Sequence, residues 1–391
     1  MMQTENNPYF SEVKKIFGFG CMRLPMQGEK VDYAEFTKMV DYFLSQGFNY
    51  FDTARVYLGG QSETALRDCL TSRHPRESFV FANKLSTSCF KKEEEIVPLF
   101  ETQLKSCGLE YFDFYLMHAQ SREIFEKYRA CHAYEKAMQF KKEGRIRHLC
   151  MSFHDKAEVL DDILTAYPEV EAVQIQLNYL DFEDPAVQSG KCYEVCRKHG
   201  KPMMIMEPVK GGTLANLTDD AKAVFDDLWL NESQKSPEKS SQKQPSYASY
   251  AVRYAAGHEG VFVTLSGMSN FAQMQDNLSY MKNFKPLNEA EEAAVEKVCA
   301  LYHAKHLIPC TACRYCTDGC PKRISIPDLF SCMNAKQNFH DWNADYYYNS
   351  VYTKYNGKAS DCIKCGKCEK ICPQHLPIRK LLQDVAKQFE N

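Results

Sequence analysis

The sequence predicts an α/β protein, a (β/α)8 barrel followed by a small, cysteine-rich α+β unit. Three observations lead there. Between Phe17 and about Asn277, eight short apolar runs alternate with longer segments of helical period, the pattern of repeated βα units around a parallel sheet. Beyond Pro286 that alternation stops and two four-cysteine motifs follow. The chain has 391 residues, 44% of them apolar and 25% charged, enough for one large core and a second, smaller one.

The eight runs are FGFGCMRL (17–24), FNYFDTA (48–54), FVFANKL (79–85), FDFYLMH (112–118), IRHLCMSF (146–153), AVQIQL (172–177), PMMIME (202–207) and VFVTLSG (261–267). A parallel strand is covered on both faces, so it reads as a continuous apolar run rather than an alternating one. Between the first two runs lies YAEFTKMVDYFLSQG, where Phe36, Val40, Phe43 and Leu44 share one helical face and Gly47 supplies the stop. Eight strands with a helix after each close most simply into a barrel. Residues 231–246, NESQKSPEKSSQKQPS, are polar and rich in Ser and Pro; a flexible loop is expected there, before the last helices of the barrel. The segment LNEAEEAAVEKVCALYHAKH is expected to lead as a helix into the cysteine unit, giving domain limits of 1–285 and 286–391.

The net charge of −3 gives no electrostatic reason for a nucleic acid or an anionic membrane as partner. The first residues carry neither an apolar core segment nor an Arg-rich amphipathic pattern, and no run reaches the roughly eighteen apolar residues of a membrane span. A cytoplasmic location is expected.

Eight of the 18 cysteines form two copies of C-x2-C-x2-C-x3-C-P, starting at Cys310 and Cys362. In this spacing three thiolates grip one 4Fe–4S cube while the fourth reaches across to the other. One cube would take Cys310, Cys313, Cys316 and Cys372, and the other Cys362, Cys365, Cys368 and Cys320. Zinc is the plainer alternative, but structural zinc sites use pairs of C-x2-C knuckles rather than triplets. Each motif precedes an apolar helix, IPDLFSCMNA or LPIRKLLQDVAKQF, so the two halves form an internal repeat of about fifty residues. The other ten cysteines lack a pairing pattern and read as ordinary thiols.

Asp52 and Tyr57 stand just past the end of the second strand, Lys84 at the end of the third and His118 at the end of the fourth. That is the C-terminal rim of a barrel, where such folds place their chemistry. Singly, each has a dull explanation as a cap, a core edge or a solvated charge. Together they form a proton-delivery set. A carbonyl that accepts hydride needs a proton at its oxygen, and a phenol of pKa about 10 is a weak donor unless a cation stabilises its anion. Lys84 can be that cation, Asp52 can fix Lys84, and His118 can orient the substrate oxygen.

On these residues the chain resembles the aldo-keto reductases over roughly 12–284. FDTARVYLGGQSETAL looks like their active-site stretch, ANKL and DFYLMH carry the Lys and His, and GRIRHLCMSFHD and VQIQLNYLD match later strands. The remainder is similar to a two-cluster ferredoxin, and the whole chain to bacterial and archaeal reductases fused to such a domain. The resemblance implies a nicotinamide dinucleotide, NAD(P)H, across the barrel mouth. Ser152 would hold the carboxamide with Gln174 beside it, Lys210, Gly211 and Gly212 would form the pyrophosphate loop, and Ser269, Gln273 and Asn277 would contact adenosine. Met206 takes the place of the family's stacking tyrosine, and the adenosine stretch carries no Lys or Arg for a 2′-phosphate, which leaves NADH and NADPH both open. A hydride carries two electrons and a 4Fe–4S cluster passes one, so a flavin (FMN) able to do both stays open as an alternative, with a one-electron redox partner outside. The function expected is reduction or oxidation of a small-molecule carbonyl or alcohol. The alternative from another class is a retired barrel serving as an electron-transfer scaffold.

Overall fold

Eight parallel strands close into a barrel: β1 (Phe17–Gly20), β2 (Tyr50–Asp52), β3 (Val80–Leu85), β4 (Phe112–Gln120), β5 (Ile146–Phe153), β6 (Ala172–Gln176), β7 (Met203–Met206) and β8 (Val261–Ser266). Each pairs with the next in sequence, and β8 returns to β1 with Thr264 opposite Phe17. All eight apolar runs become strands. The computed structural model describes residues 7–235, 243–305, 308–310, 312–339, 342–372 and 374–390.

Alternate residues turn inward, as the two-residue period of a strand requires. Tyr50, Val80, Ala82, Phe114, Leu116, Cys150, Ala172, Met204 and Phe262 form a buried cluster with Phe10 and Val13. Gly18 admits no side chain there, because a Cβ would lie 2.7 Å from Leu265 Cδ2 and 2.9 Å from Tyr50 Cδ1. Residues turned outward pack under helices such as Tyr33–Ser45, which starts at Asp32, whose carboxylate accepts from Glu35 N–H, and buries Phe36, Met39, Val40 and Phe43.

At the opposite end of the barrel from the rim, His148 lies between two carboxylates, with Nε2 2.7 Å from Glu12 Oε1 and Nδ1 2.9 Å from Glu171 Oε2. Burial works to lower its pKa, but the two carboxylates outweigh it and raise it to about 9. A folded pKa above the unfolded one stabilises the protein fully below pH 6.5, and that contribution is lost as pH rises through about 9. His148→Gln is therefore expected to cost on the order of 2 kcal/mol at pH 6 and far less at pH 9.5. Denaturant unfolding at the two pH values checks this, and an equal loss at both would refute it.

The expected loop at 231–246 needs correction. The helix Asp219–Lys235 takes its first five residues, since Glu, Gln and Lys are good helix formers and their polarity marks a solvated face. Residues 236–242 lie outside the described residues. Residues 243–246 have no regular structure, yet Gln244 Nε2 donates to Asp226 Oδ1 (2.6 Å) and Ser246 Oγ to Asp276 Oδ2 (2.7 Å). The helix Glu289–Ala304 starts with a capping box between Asn288 and Glu291 and buries Ala294, Val295, Val298 and Tyr302 beside Phe225 and Tyr250.

The cysteine unit is helical rather than α+β among its described residues. Its turns around the thiols leave no extended run long enough for a strand. The repeat is visible in the backbone: Ala312 and Lys364, Arg314 and Gly366, and Arg323 and His375 are left-handed at matching positions. The helices Ile326–Phe339 and Ile378–Phe389 follow at matching places. Their core (Ile324, Ile326, Leu329, Phe330, Leu382, Val385) also takes in Ala186 of the barrel. Ser331 Oγ donates to Asp184 Oδ2 (2.8 Å), Tyr352 OH to the Ala186 carbonyl, and Lys354 Nζ pairs with Glu123 Oε1 at 2.9 Å. No helix among the described residues is long and apolar enough to cross a membrane.

Candidate active site

Asp52 ends β2 and Lys84 lies near the end of β3, 3% and 0% exposed. Lys84 Nζ donates to Asp52 Oδ1 at 2.5 Å and to the Thr53 carbonyl at 2.8 Å. A buried ammonium is tolerable only when paired in this way. Burial works against its charge, but Asp52 and the Tyr57 hydroxyl raise the Lys84 pKa above that of an ordinary lysine, so it stays an ammonium.

Tyr57 stands in the turn after β2, half-buried, with its ring centroid 4.9 Å from Lys84 Nζ. Its phenol does not become more acidic than usual on balance. Burial raises its pKa, and the Lys84 charge offsets part of that rise. The His118 ring meets Tyr57 edge-on at 5.9 Å. Its Nδ1 is engaged by Ser86 Oγ at 2.6 Å, which leaves Nε2 for a ligand. Burial and the Lys84 charge hold the His118 pKa well below the ordinary value, so the imidazole is neutral at pH 7. The four predicted residues are thus brought together.

Asp52, Tyr57 and His118 line a cavity of about 1190 Å³ at the rim. Of the residues assigned to a dinucleotide, Gln174, Met206, Gly211, Gly212, Ser269, Gln273 and Asn277 also line it. Gly211 and Gly212 have φ of 65° and 108°, a backbone open to glycine. Asn277 Oδ1 is buried without a hydrogen-bond partner. Two assigned residues are elsewhere. Ser152 Oγ accepts from Ala119 N–H at 2.7 Å, behind the wall. Lys210 turns away to a buried ion pair with Asp181 Oδ1 at 2.6 Å, because that carboxylate sits in dry surroundings next to Asp184.

The two cysteine quartets converge as the spacing predicts. Cys310, Cys313, Cys316 and Cys372 line one small cavity, and Cys320, Cys362, Cys365 and Cys368 line another. Burial pushes the Cys316 thiol up to about 12, so taking a metal there means releasing a proton. Among the described residues no three His, Cys, Asp or Glu converge on a single-ion site; a cube, with one iron per thiolate at separate corners, asks for a wider spread.

The sequence profile of the Aldo/keto reductase family matches residues 17–300. The chain belongs to the aldo/keto reductase family. A 4Fe-4S dicluster domain follows at 309–376. Among curated relatives, norsolorinic acid reductase B of Dothistroma septosporum is 35% identical over 78 residues, 19% of this chain and 20% of that one. The uncharacterized oxidoreductase YtbE of Bacillus subtilis is 26% identical over 200 residues, 51% of this chain and 65% of that one. The chain thus spans from a fifth to about two thirds of the relatives it matches. Among solved structures, the holo form of an aldo-keto reductase from Bacillus halodurans superposes with a TM-score of 0.54 at 21% identity, over 72% of this chain and 91% of that one. One from Klebsiella pneumoniae in complex with NADPH gives 0.57 at 15% identity, over 76% and 95%. At such identities these likenesses speak for the fold.

This reductase barrel also lines its cavity with residues that sequence reasoning did not single out. His154 follows β5, as His118 sits on β4, so the same strand-end argument could have found it. Burial and the Lys84 charge lower its pKa to about 4. Arg23 follows β1 and packs beside Gly267. Glu207 follows β7, left-handed at φ 57°. Trp342, Asn343 and Tyr346 come from the cluster unit, and no local sequence signal marks them.

Proposed function

We propose that the protein interconverts a carbonyl and an alcohol on a small molecule, with Tyr57 giving the proton to the carbonyl oxygen. The observation that carries this reading is the meeting of Asp52, Tyr57 and His118 on a single large cavity, with Lys84 buried beside Asp52 and Tyr57. Tyr57 holds its proton at neutral pH, and the nearby Lys84 charge stabilises the phenolate left behind. Asp52 keeps Lys84 charged and in place. Neutral His118, with Ser86 on Nδ1, can donate from Nε2 to the substrate oxygen and aim the carbonyl.

A nicotinamide dinucleotide supplies the hydride when bound. The cavity suits one: it is lined by Met206, by Gln174 beside Asp52, by Gly211 and Gly212 where backbone must approach closely, and by Asn277 with an unmet acceptor. Arg23 is the one Arg or Lys among its described lining residues and suits the pyrophosphate. The cysteine quartets suit two 4Fe–4S cubes, one each, which supply one-electron chemistry when bound.

Titration of anaerobically purified protein with NADH and NADPH, read by nicotinamide fluorescence, tests the reading. One of them is expected to bind, and Asn277→Leu to weaken it about tenfold. The same change should leave the ligand-free melting temperature equal or higher, since Oδ1 is unsatisfied without ligand. Binding of neither dinucleotide, or carbonyl-independent oxidation alone, would sink the proposal.

A further inference from the structure

We propose that the cluster unit completes the substrate site, with Trp342 and Tyr346 forming an aromatic wall that selects neutral carbonyl compounds bearing a flat, apolar body. The proposal rests on the reading of the barrel as a carbonyl reductase and adds the substrate class and the residues that choose it.

Trp342, Asn343 and Tyr346 line the same cavity as Tyr57 and His118. They are held from both sides. Asn343 Nδ2 donates to Glu207 Oε2 at 2.7 Å, Tyr346 OH to the His154 carbonyl at 3.3 Å, and the Tyr346 ring meets the His154 ring edge-on at 5.9 Å. Their neighbours Ala344, Tyr347, Tyr348 and Tyr352 are buried. On this fixed support Trp342 stays 48% exposed. A large indole left uncovered on a rigid wall facing a cavity gains most from a flat apolar partner, through offset or edge-on stacking.

The charges point the same way. Arg23, the one Arg or Lys lining the cavity among the described residues, packs beside Gly267 and the Gly211 turn. His118 and His154 are neutral at pH 7. The carboxylates near the wall are Asp52, paired with Lys84, and Glu207, held by Asn343. A substrate carboxylate or phosphate finds no unpaired cation there, since Lys84 is buried and held by Asp52, and meets the Glu207 carboxylate instead. Met22, Val56, Leu58 and Met206 complete an apolar lining, with thioethers suited to an aromatic ring.

The chain has two tryptophans, Trp229 and Trp342, so in iron-replete Trp229→Phe protein the indole emission reports Trp342 alone. Benzaldehyde is expected to quench it saturably, with propanal and 4-carboxybenzaldehyde at least about tenfold weaker. In turnover, Trp342→Ala should raise KM for benzaldehyde about tenfold and leave that for propanal within about twofold, with dinucleotide affinity unchanged. Trp342→Phe, which keeps an aromatic face, should restore most of the loss. Absence of saturable quenching, equal binding of the carboxylated aldehyde, or an unaltered ratio of KM values in Trp342→Ala overturns the proposal. Quenching without any turnover would sustain the wall and overturn the assignment of Tyr57 chemistry, so the two readings fail separately.

Discussion

Tyr57→Phe is expected to lower kcat for carbonyl reduction by about 10³-fold, within the range a general acid contributes, while dinucleotide affinity stays within about twofold. The substitution removes one oxygen and little else. A phenylalanine ring keeps the edge contact with His118 and the position 4.9 Å from Lys84 Nζ. Lys84 keeps Asp52 and the Thr53 carbonyl as partners, so no buried charge is orphaned. Lys84→Met is the poorer probe, because it would leave Asp52 buried and unpaired at a cost of several kcal/mol and mix stability with chemistry. The pH dependence has a definite sign. Burial holds the Tyr57 pKa above that of an ordinary phenol, despite Lys84, so the acid is present through neutral pH and reduction should slow only in the alkaline range as the phenol deprotonates. Steady-state kcat measured from pH 6 to about 11, past the ordinary phenol pKa of about 10, beside fluorescence titration of the dinucleotide, reads both effects. A loss below about tenfold, or an equal fall in binding, would remove Tyr57 from the proton path.

The barrel was legible because its signal is local. A strand such as Val80–Leu85 is buried along its whole length, and burial on both faces forces a continuous apolar run. The tetrad was legible for a related reason. Asp52, Lys84 and His118 each sit near a strand's C-terminal end, and closure of the barrel brings those ends together whatever the loops do. Spacing likewise fixed the cysteine quartets, since short spacers and left-handed residues at Ala312, Arg314 and Lys364 bend each motif around its own cavity.

What was not legible depends on packing between distant segments. Lys210 lies where a phosphate contact is expected, but Asp181 takes its ammonium, and only the buried setting of that carboxylate decides the contest. Ser152 is spent on the Ala119 backbone, whose left-handed φ of 52° follows from the irregular end of β4. Asn231 to Lys235 look like a loop by composition, yet they extend an existing helix with solvated side chains. Trp342 carries no pattern of its own. It reaches the active site because the cluster unit folds back onto the barrel through Ser331, Tyr352 and Lys354.

Removing iron is expected to unfold the cluster unit while the barrel stays folded. The unit's own core is small, built on residues such as Phe330, Leu382 and Val385, and a core of that size supplies only about 3–5 kcal/mol. Against it stand five non-glycine residues in the left-handed region: Ala312, Arg314, Arg323, Lys364 and His375. At about 1 kcal/mol or more each, their strain is comparable with everything the core provides. Exposure of Cys313 and Cys365 adds no packing in return. Bonds from the eight thiolates to the two cubes they suit would be the term that can outweigh the strain, as metal binding does in other small domains. Purified protein should therefore hold about eight irons per chain. Chelation under anaerobic conditions should abolish amide protection across 312–390 while β1 to β8 remain protected, and emission from Trp342 should shift toward that of a solvated indole. Barrel strands buried on both faces have no stake in the metal. If the helix Ile378–Phe389 keeps its protection after the iron is gone, the left-handed turns are stable on their own and the clusters do not hold this unit together.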